Sequence, residues 1–491
     1  MQRILAAAAV FSGIFPCAAG SVPDRPNVVI FSVDDMDYGS MGTTGNPLPG
    51  VTPRMDALAG ESLLFERAYG NAAICQPSRQ SMMTGLHSHS NRTLGFVDVP
   101  KDIPSLPGVL AQIGYHTVNL SKGRDYASFP WSQFLGGYGT RGMSRDGSQF
   151  AGSVREAVGA AKNAGKPFFI CVNTSDPHRP FAGSDDEAKE VEEARKKFPD
   201  AAARGDVWFP PAPAICSPED ATVPGYNPDL PDVRKEWAQY YNTLKRADDT
   251  LGLVLDVLRE QGVDGNTLFI FWSDNGAPFP MSKTACYPFS THTPLMVRWP
   301  GVVSPGSRDT RHFVSTLDVM PTLLELAGVS DAPASDGRSF LSLLTGGRQE
   351  NRDEVFSTSN FHVPGVQVYP TRGLHTAEHS LIFNAWSDGR RTVENEPMSG
   401  LTMAAIKKGA DPETRKRCEF ILRRARWELY DTVKDPWCLR NLADDPAMAG
   451  ILKLMKARME RQMKTTGDPL LPYLLGKPGY PAEWDVRTPS P

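Results

Sequence analysis

Two hydrophobic patterns alternate along this chain. Short runs rich in apolar and β-branched residues occur at Asn27–Val33, Tyr115–Leu120, Pro167–Val172 and Thr267–Trp272. Their length and continuity predict strands covered on both faces. Between them, apolar residues recur at helical spacing. The clearest case is Glu236–Glu260, where Trp237, Tyr240, Leu244, Ala247, Leu251, Leu255 and Leu258 fall on one stripe that Gly262 ends. Thr52-Pro53 reads as a cap followed by proline at the first helical position, with Met55, Leu58 and Ala59 behind it. Ser78–Leu86, Leu106–Ile113 and Arg155–Ala164 are further helices, the last stopped by Gly165. Strands alternating with helices predict an α/β fold with a large, mostly parallel sheet sandwiched by helices.

The strands end in polar groups. Asp34-Asp35, Ser121-Lys122-Gly123-Arg124, Ser175-Asp176-Pro177-His178-Arg179 and Ser273-Asp274-Asn275-Gly276 each follow one of the runs above. Ligands of open α/β sheets bind beyond the carboxyl ends of the strands, so these segments predict one shared site. The charged, Pro-rich stretch from Gly183 to Asp232, with a helix near Asp185–Lys197, reads as a surface excursion over its mouth. A composition shift near residues 345–355 separates a catalytic unit, residues 24–350, from a C-terminal unit, residues 351–491. The latter carries strand-like Val366–Tyr369 and Ser380–Asn384, and a helix over Met448–Met463.

Composition narrows the function classes. With 491 residues, a formal charge of −4, 40% hydrophobic and 22% charged residues, the chain is ordinary globular material. It offers no electrostatic case for nucleic acid, so basic contacts to an anionic substrate must be local. The first 20 residues differ, with Arg3, an apolar run to about Phe15 and small residues around Ala18-Ala19-Gly20. They read as a secretory signal peptide, which implies a secreted or periplasmic protein. The run falls short of the about 18 residues a membrane span needs, and no later stretch reaches that length. Seven cysteines lack metal-type spacing. Setting aside Cys17 in the leader and Cys75 leaves Cys171, Cys216, Cys286, Cys418 and Cys438, an odd set that argues against a disulfide scaffold.

The chemistry centres on Cys75-Gln76-Pro77-Ser78-Arg79. Alone, a cysteine of this kind is most often a small buried thiol. Here it accompanies two strand ends that offer hard oxygen ligands, Asp34 with Asp35 and Asp274 with Asn275. An all-oxygen set suits Ca²⁺ or Mg²⁺ and not Zn²⁺. A helix starting just after Cys75 would add free amides for an anion.

The stretch Cys75–Arg79 resembles the C-x-P-S-R signature of the type I sulfatases in the alkaline-phosphatase superfamily. The resemblance implies an alkaline-phosphatase-like fold and oxidation of Cys75 to Cα-formylglycine by a formylglycine-generating enzyme. It further implies Ca²⁺ held by Asp34, Asp35, Asp274, Asn275 and residue 75, with Arg79 holding the modified residue and the metal carboxylates. Lys122 matches the sulfate-contacting lysine of the family's G-K-x-H loop, although Ser121 replaces the glycine and Arg124 the histidine. Arg124 is expected to bind the anion, since arginine cannot give up a proton. His178 matches the histidine that contacts sulfate and protonates the leaving group, and Lys283 falls where the family places a further cation. His89 is a candidate pocket residue. Trp427-Glu428-Leu429-Tyr430-Asp431, with Asp435-Pro436 and Asn441-Leu442, resembles the family's C-terminal signature and implies a smaller α+β domain with an antiparallel sheet.

Within the family, the longer segments Ser273–Pro280, Asp176–Arg179 and Arg424–Asp431 most resemble the N-sulfoglucosamine sulfohydrolases, or sulfamidases. The implied substrate is a sulfated carbohydrate, the N-sulfate of glucosamine in heparan-type glycans. An O-sulfatase such as one for 6-O-sulfated glucosamine, a phosphonate or phosphate monoesterase, and an inactive secreted glycan-binding relative are the alternatives.

Overall fold

The computed structural model describes residues 25–135, 144–200, 209–361 and 368–485. The leader assigned to residues 1–20 lies outside them. The principal sheet is built from β1 (Asn27–Val33), β2 (Leu63–Phe65), β4 (His116–Leu120), β5 (Gln133–Leu135), β6 (Phe168–Asn173), β7 (Thr267–Ser273), β8 (Leu295–Arg298) and β9 (Ser307–Asp309). A short parallel pair, β3 (Ala68–Tyr69) with β10 (Val314–Ser315), lies apart. The principal order is β5-β4-β6-β1-β7-β8-β2-β9, and every pairing is parallel except those of β8. β1 is therefore central, flanked by β6 and β7. The four strands that carry the polar ends lie side by side as β4-β6-β1-β7, so those ends share one edge.

Both faces are covered, which explains why the strands read as continuous apolar runs. On one face Val29, Phe31, Phe269 and Phe271 pack against the helices Gly147–Asn163 and Pro231–Glu260. On the other, Val28, Ile30, Ile270 and Trp272 meet Met82, Met83, Leu106, Leu110 and Leu323. The helix expected from Arg155 starts eight residues earlier, at Gly147, because the Asp146 carboxylate caps it by accepting from the Ser148 and Gln149 amides at 2.9 and 3.3 Å. Its first turn is polar and gives no periodic signal. The helix expected from Ser78 begins at Cys75 instead. Pro77 is harmless there, since a first-turn amide has no helical partner to lose.

A second sheet begins at Glu354. It consists of β11 (Glu354–Phe361), β12 (Val368–Thr376), β13 (His379–Asn384) and β14 (Trp427–Asp431), antiparallel in that order. The helix Ala449–Thr465 lays Met455, Met459 and Met463 on Leu374, Leu381, Phe383 and Leu429. Those methionines recur every fourth residue, the spacing of one helical face. The expected mixed architecture, a helix-sandwiched sheet with a smaller antiparallel α+β unit, is what the structure shows. All six described cysteines are free.

Candidate active site

Asp34 and Asp35 follow β1 directly. Neighbouring residues of a regular strand point to opposite faces, yet both carboxylates reach one place because Asp35 takes a left-handed backbone, φ +70°. Ligand oxygens of Asp34, Asp35 and Asp274 all lie within 4.8 Å of one another, fully buried. Asp274 Oδ1 accepts from the amides of Asp35 at 3.0 Å and Asn275 at 2.9 Å. The Asn275 amide group donates to Asp35 Oδ1 at 2.7 Å. The turn after Asn275 requires glycine: a Cβ on Gly276 would stand 2.1 Å from the Phe289 carbonyl oxygen.

Cys75 opens the helix Cys75–Thr84, and Arg79 stands one turn further on the same face. The Arg79 guanidinium is fully buried. Its Nε and Nη2 each lie 2.9 Å from Asp274 Oδ2, Nη1 donates to Ser32 Oγ at 2.6 Å, and Nη2 is 3.8 Å from Asp34 Oδ1. The expected tie between Arg79 and the carboxylates is present.

Two lysines complete the ring. Ser121 and Lys122, past the end of β4, are both left-handed, φ +67° and +50°, and this turn brings Lys122 Nζ onto Asp34 Oδ2. Lys283 Nζ lies 2.8 Å from Asp35 Oδ2 and 3.0 Å from Glu396 Oε2. His178 Nε2 is 3.7 Å from Asp35 Oδ2, and its side chain is 29% exposed, so it alone of these groups opens substantially to solvent.

Charge is tightly balanced. Burial alone would raise the Asp34 carboxyl, but Lys122, His178 and Arg79 outweigh it and hold the group well below the usual range. Burial, reinforced by Asp34 and Asp35, drives Asp274 the other way, well above its ordinary value despite Arg79. Three carboxylates this close cannot all stay ionised without further positive charge. Burial, then the charges of Asp125 and Asp34, push the Cys75 thiol well above its normal value. A thiol pushed in that direction is a weaker nucleophile than a free one.

Nine of the eleven residues singled out from sequence converge. The other two do not. His89 is buried under the second sheet, its ring stacked on His87 at 5.2 Å and its Nδ1 3.8 Å from Asp468. Its contacts are with His87 and Asp468, not with the carboxylate ring. Arg124 is exposed, its guanidinium 5.2 Å from the Phe96 ring centre. The next residue, Asp125, is buried, and its Oδ2 lies 3.5 Å from Arg79 Nε with no hydrogen-bond partner among the described residues. Sequence reasoning missed Asp125, and it missed Glu396 because that residue sits in a short turn helix, Glu396–Met398, without a motif.

A carboxylate trio bridged by arginine, with a cysteine at a helix start and lysines on both sides, is an anion-processing centre. The family model described as Sulfatase matches residues 26–329, a span that contains all eleven of these residues. The chain belongs to the sulfatase family. A second model, described as the C-terminal part of N-sulphoglucosamine sulphohydrolase, matches residues 281–389. The human N-sulphoglucosamine sulphohydrolase is 30% identical over 91% of each chain. An ulvan-active sulfatase of Formosa agariphila is 27% identical over 94% of this chain and 84% of its own. Among solved structures, a protein in complex with its substrate D-glucosamine-2-N,6-O-disulfate superposes with a TM-score of 0.65 at 19% identity, over 90% of this chain and 98% of that one. A phosphonate monoester hydrolase from Silicibacter pomeroyi gives 0.61, also at 19% identity, over 90% and 96%. At that identity the likeness is one of fold.

Proposed function

We propose that this sulfatase removes sulfate from a sulfated glycan, with the N-sulfate of glucosamine in heparan-type chains as its substrate. The buried ring of Asp34, Asp35, Asp274, Arg79, Lys122 and Lys283 around Cys75 carries the reaction class. The match to the human sulfohydrolase across both sheets supports the substrate.

The residues fit a hard divalent cation. Among the described residues, Asp34 Oδ1 and Asn275 Oδ1 are buried without a hydrogen-bond partner, and all the donors are oxygen. Asp34, Asp35, Asp274, Asn275 and residue 75 would hold Ca²⁺, which neutralises sulfate charge and acidifies a hydroxyl beside it. Formylglycine at position 75, once hydrated, would supply one hydroxyl for attack on sulfur and a second whose proton loss would re-form the aldehyde as sulfate leaves. A formylglycine-generating enzyme is the partner this requires.

Around that centre, Arg79 locks Asp274 and leaves the two lysines to face the anion. Lys122 and Lys283 keep their protons: burial works against their charge, but Asp34 and Asp125 outweigh it for Lys122, and Asp35 and Glu396 for Lys283. They are fixed charges that stabilise the developing anion without titrating. His178, partly exposed and with Nε2 3.7 Å from Asp35, protonates the departing amine or alkoxide. The leader implies that these steps occur in a secreted or periplasmic protein. Among the described residues, no helix is long and apolar enough to cross a membrane.

The test is sulfate release from glucosamine N-sulfate and glucosamine 6-O-sulfate, side by side. Faster release from the N-sulfate is expected. Turnover of the 6-O-sulfate alone would overturn the substrate assignment and leave the reaction class standing. Stoichiometric glycan binding without any release would overturn both.

A further inference from the structure

We infer that Arg145 is a positioning residue for His178, setting which ring nitrogen faces the anion site. The inference rests on the reading of His178 as proton donor to the leaving group.

The imidazole is committed at one end. His178 Nδ1 lies 2.5 Å from the Arg179 carbonyl oxygen, an acceptor only, so Nδ1 carries a proton and donates. Nε2 is then the nitrogen left to serve substrate, and it is the one near Asp35. The same Arg179 carbonyl accepts from Arg145 Nη2 at 3.1 Å, and the His178 carbonyl accepts from that nitrogen at 3.0 Å. Arg145 thus grips two consecutive peptide groups of the turn that presents the ring, and fills the second lone pair of the oxygen that holds Nδ1.

Arg145 is itself held rigidly. Its Nη1 pairs with Asp176 Oδ1, its side chain is 5% exposed, and its guanidinium lies 5.2 Å from the Phe209 ring centre. Asp176 in turn receives Arg246 from the core helix Pro231–Glu260, Nε to Oδ2 at 2.6 Å and Nη2 to Oδ1 at 3.0 Å. The Asp176 carbonyl accepts from the Asp34 amide at 3.1 Å, so the turn is joined to the carboxylate end of β1. A chain of charge-assisted bonds therefore runs from the helix core through Asp176 and Arg145 to the His178 turn. Burying two guanidiniums around one carboxylate is costly unless their remaining donors are used. Here the Nη2 donors of Arg145 are spent on the two carbonyls that orient the histidine.

The experiment compares wild type, Arg145→Met, Arg145→Lys, His178→Ala and the double variant Arg145→Met/His178→Ala. Each is assayed on glucosamine N-sulfate, a poor leaving group, and on 4-nitrophenyl sulfate, an activated one. Arg145→Met should lower kcat on the sulfamate by about 10- to 100-fold with KM within about 3-fold, and lower it less than about 3-fold on the aryl sulfate. Arg145→Lys, which keeps charge but loses the forked donation, should fall between Met and wild type. The double variant should be no worse than His178→Ala. Equal losses on both substrates for Arg145→Met, or losses that add to those of His178→Ala, would overturn the inference while leaving His178 in its role. Equal losses for His178→Ala itself would remove the proton-donor reading, and this inference with it. Thermal melting of each variant shows whether a uniform loss reflects unfolding.

Discussion

The Glu396 carboxylate lies 3.0 Å from the Lys283 ammonium, so a segment beyond β13 of the second sheet reaches into the catalytic centre. Lys283 stands between two carboxylates, Asp35 and Glu396, and burial of that trio is sustained by their mutual attraction. Burial alone would raise Glu396, but Lys283, His178 and Arg179 bring it down to about 2.

A negative charge beside an anion site weakens anion binding. Glu396→Gln should therefore tighten competitive inhibition by inorganic sulfate, by about 3- to 10-fold, an effect of roughly 1 kcal/mol for a partly exposed pair. An unchanged inhibition constant would show that Lys283 screens Glu396 from the bound anion.

Burial and the charges of Asp125 and Asp34 push the Cys75 thiol up, away from the thiolate that would attack sulfur, and the proposed reaction therefore uses a modified residue at this position. The tryptic peptide containing residue 75 from active enzyme should be lighter than the encoded one by about 18 Da, the difference between thiol and aldehyde. Cys75→Ala should abolish turnover with an unchanged melting temperature. Active enzyme carrying unmodified cysteine would sink the mechanism.

Asp274 accepts from two backbone amides and from Arg79, so its loss disturbs the whole trio. Asp274→Asn should lower kcat/KM by at least about 100-fold and weaken cation affinity in parallel. Chelation of the wild type followed by added Ca²⁺ should restore activity. Full turnover in a rigorously metal-free sample would exclude a cation at this site.

Two fully buried histidines predict a pH dependence of stability remote from the centre. Burial lowers His375 to about 3, and burial with His89 lowers His87 well below its usual value. His375 is satisfied as a neutral ring by Ser357 and Ser380, at 3.2 and 2.9 Å. Below the unfolded value of about 6.5 the unfolded chain binds protons that the fold refuses. Stability is thus full above about pH 6.5 and falls as pH drops toward about 4, by up to about 1.4 kcal/mol per pH unit for each histidine. His375→Gln should give a shallower fall in denaturation midpoint between pH 7 and 4.5. A slope equal to that of wild type would assign the effect elsewhere.

The sequence alone puts Arg124 on the anion, but Asp125 is the residue of that loop that faces Arg79. Arg124→Ala should change kcat/KM by less than about 3-fold, because an exposed guanidinium over one aromatic ring is a weak contact. Asp125→Asn, which removes a buried charge beside Arg79, should cost more than about 10-fold. A larger loss for Arg124→Ala would return it to the anion site.

The sequence by itself determined the strands, since fully buried parallel strands must be apolar along their length, and Val28–Phe31 and Leu268–Phe271 have no other use. It also determined which polar groups gather in one place, because groups placed directly after such strands must emerge at one sheet edge once the strands are parallel. Asp34, Asp35, Lys122, His178, Asp274 and Asn275 were legible as candidates for that reason, and Cys75 with Arg79 through their resemblance to the C-x-P-S-R signature. Tertiary structure alone decided the rest. Arg124 or Asp125 faces inward according to the left-handed turn at Ser121-Lys122, a local backbone choice that no periodicity encodes. His89 reads like a pocket residue until the second sheet covers it and sets Asp468 beside it. Glu396 and Arg145 lie far along the chain from the groups they touch, in segments without motif. Their roles arise from docking, where burial makes each charge seek a partner that only the folded chain supplies.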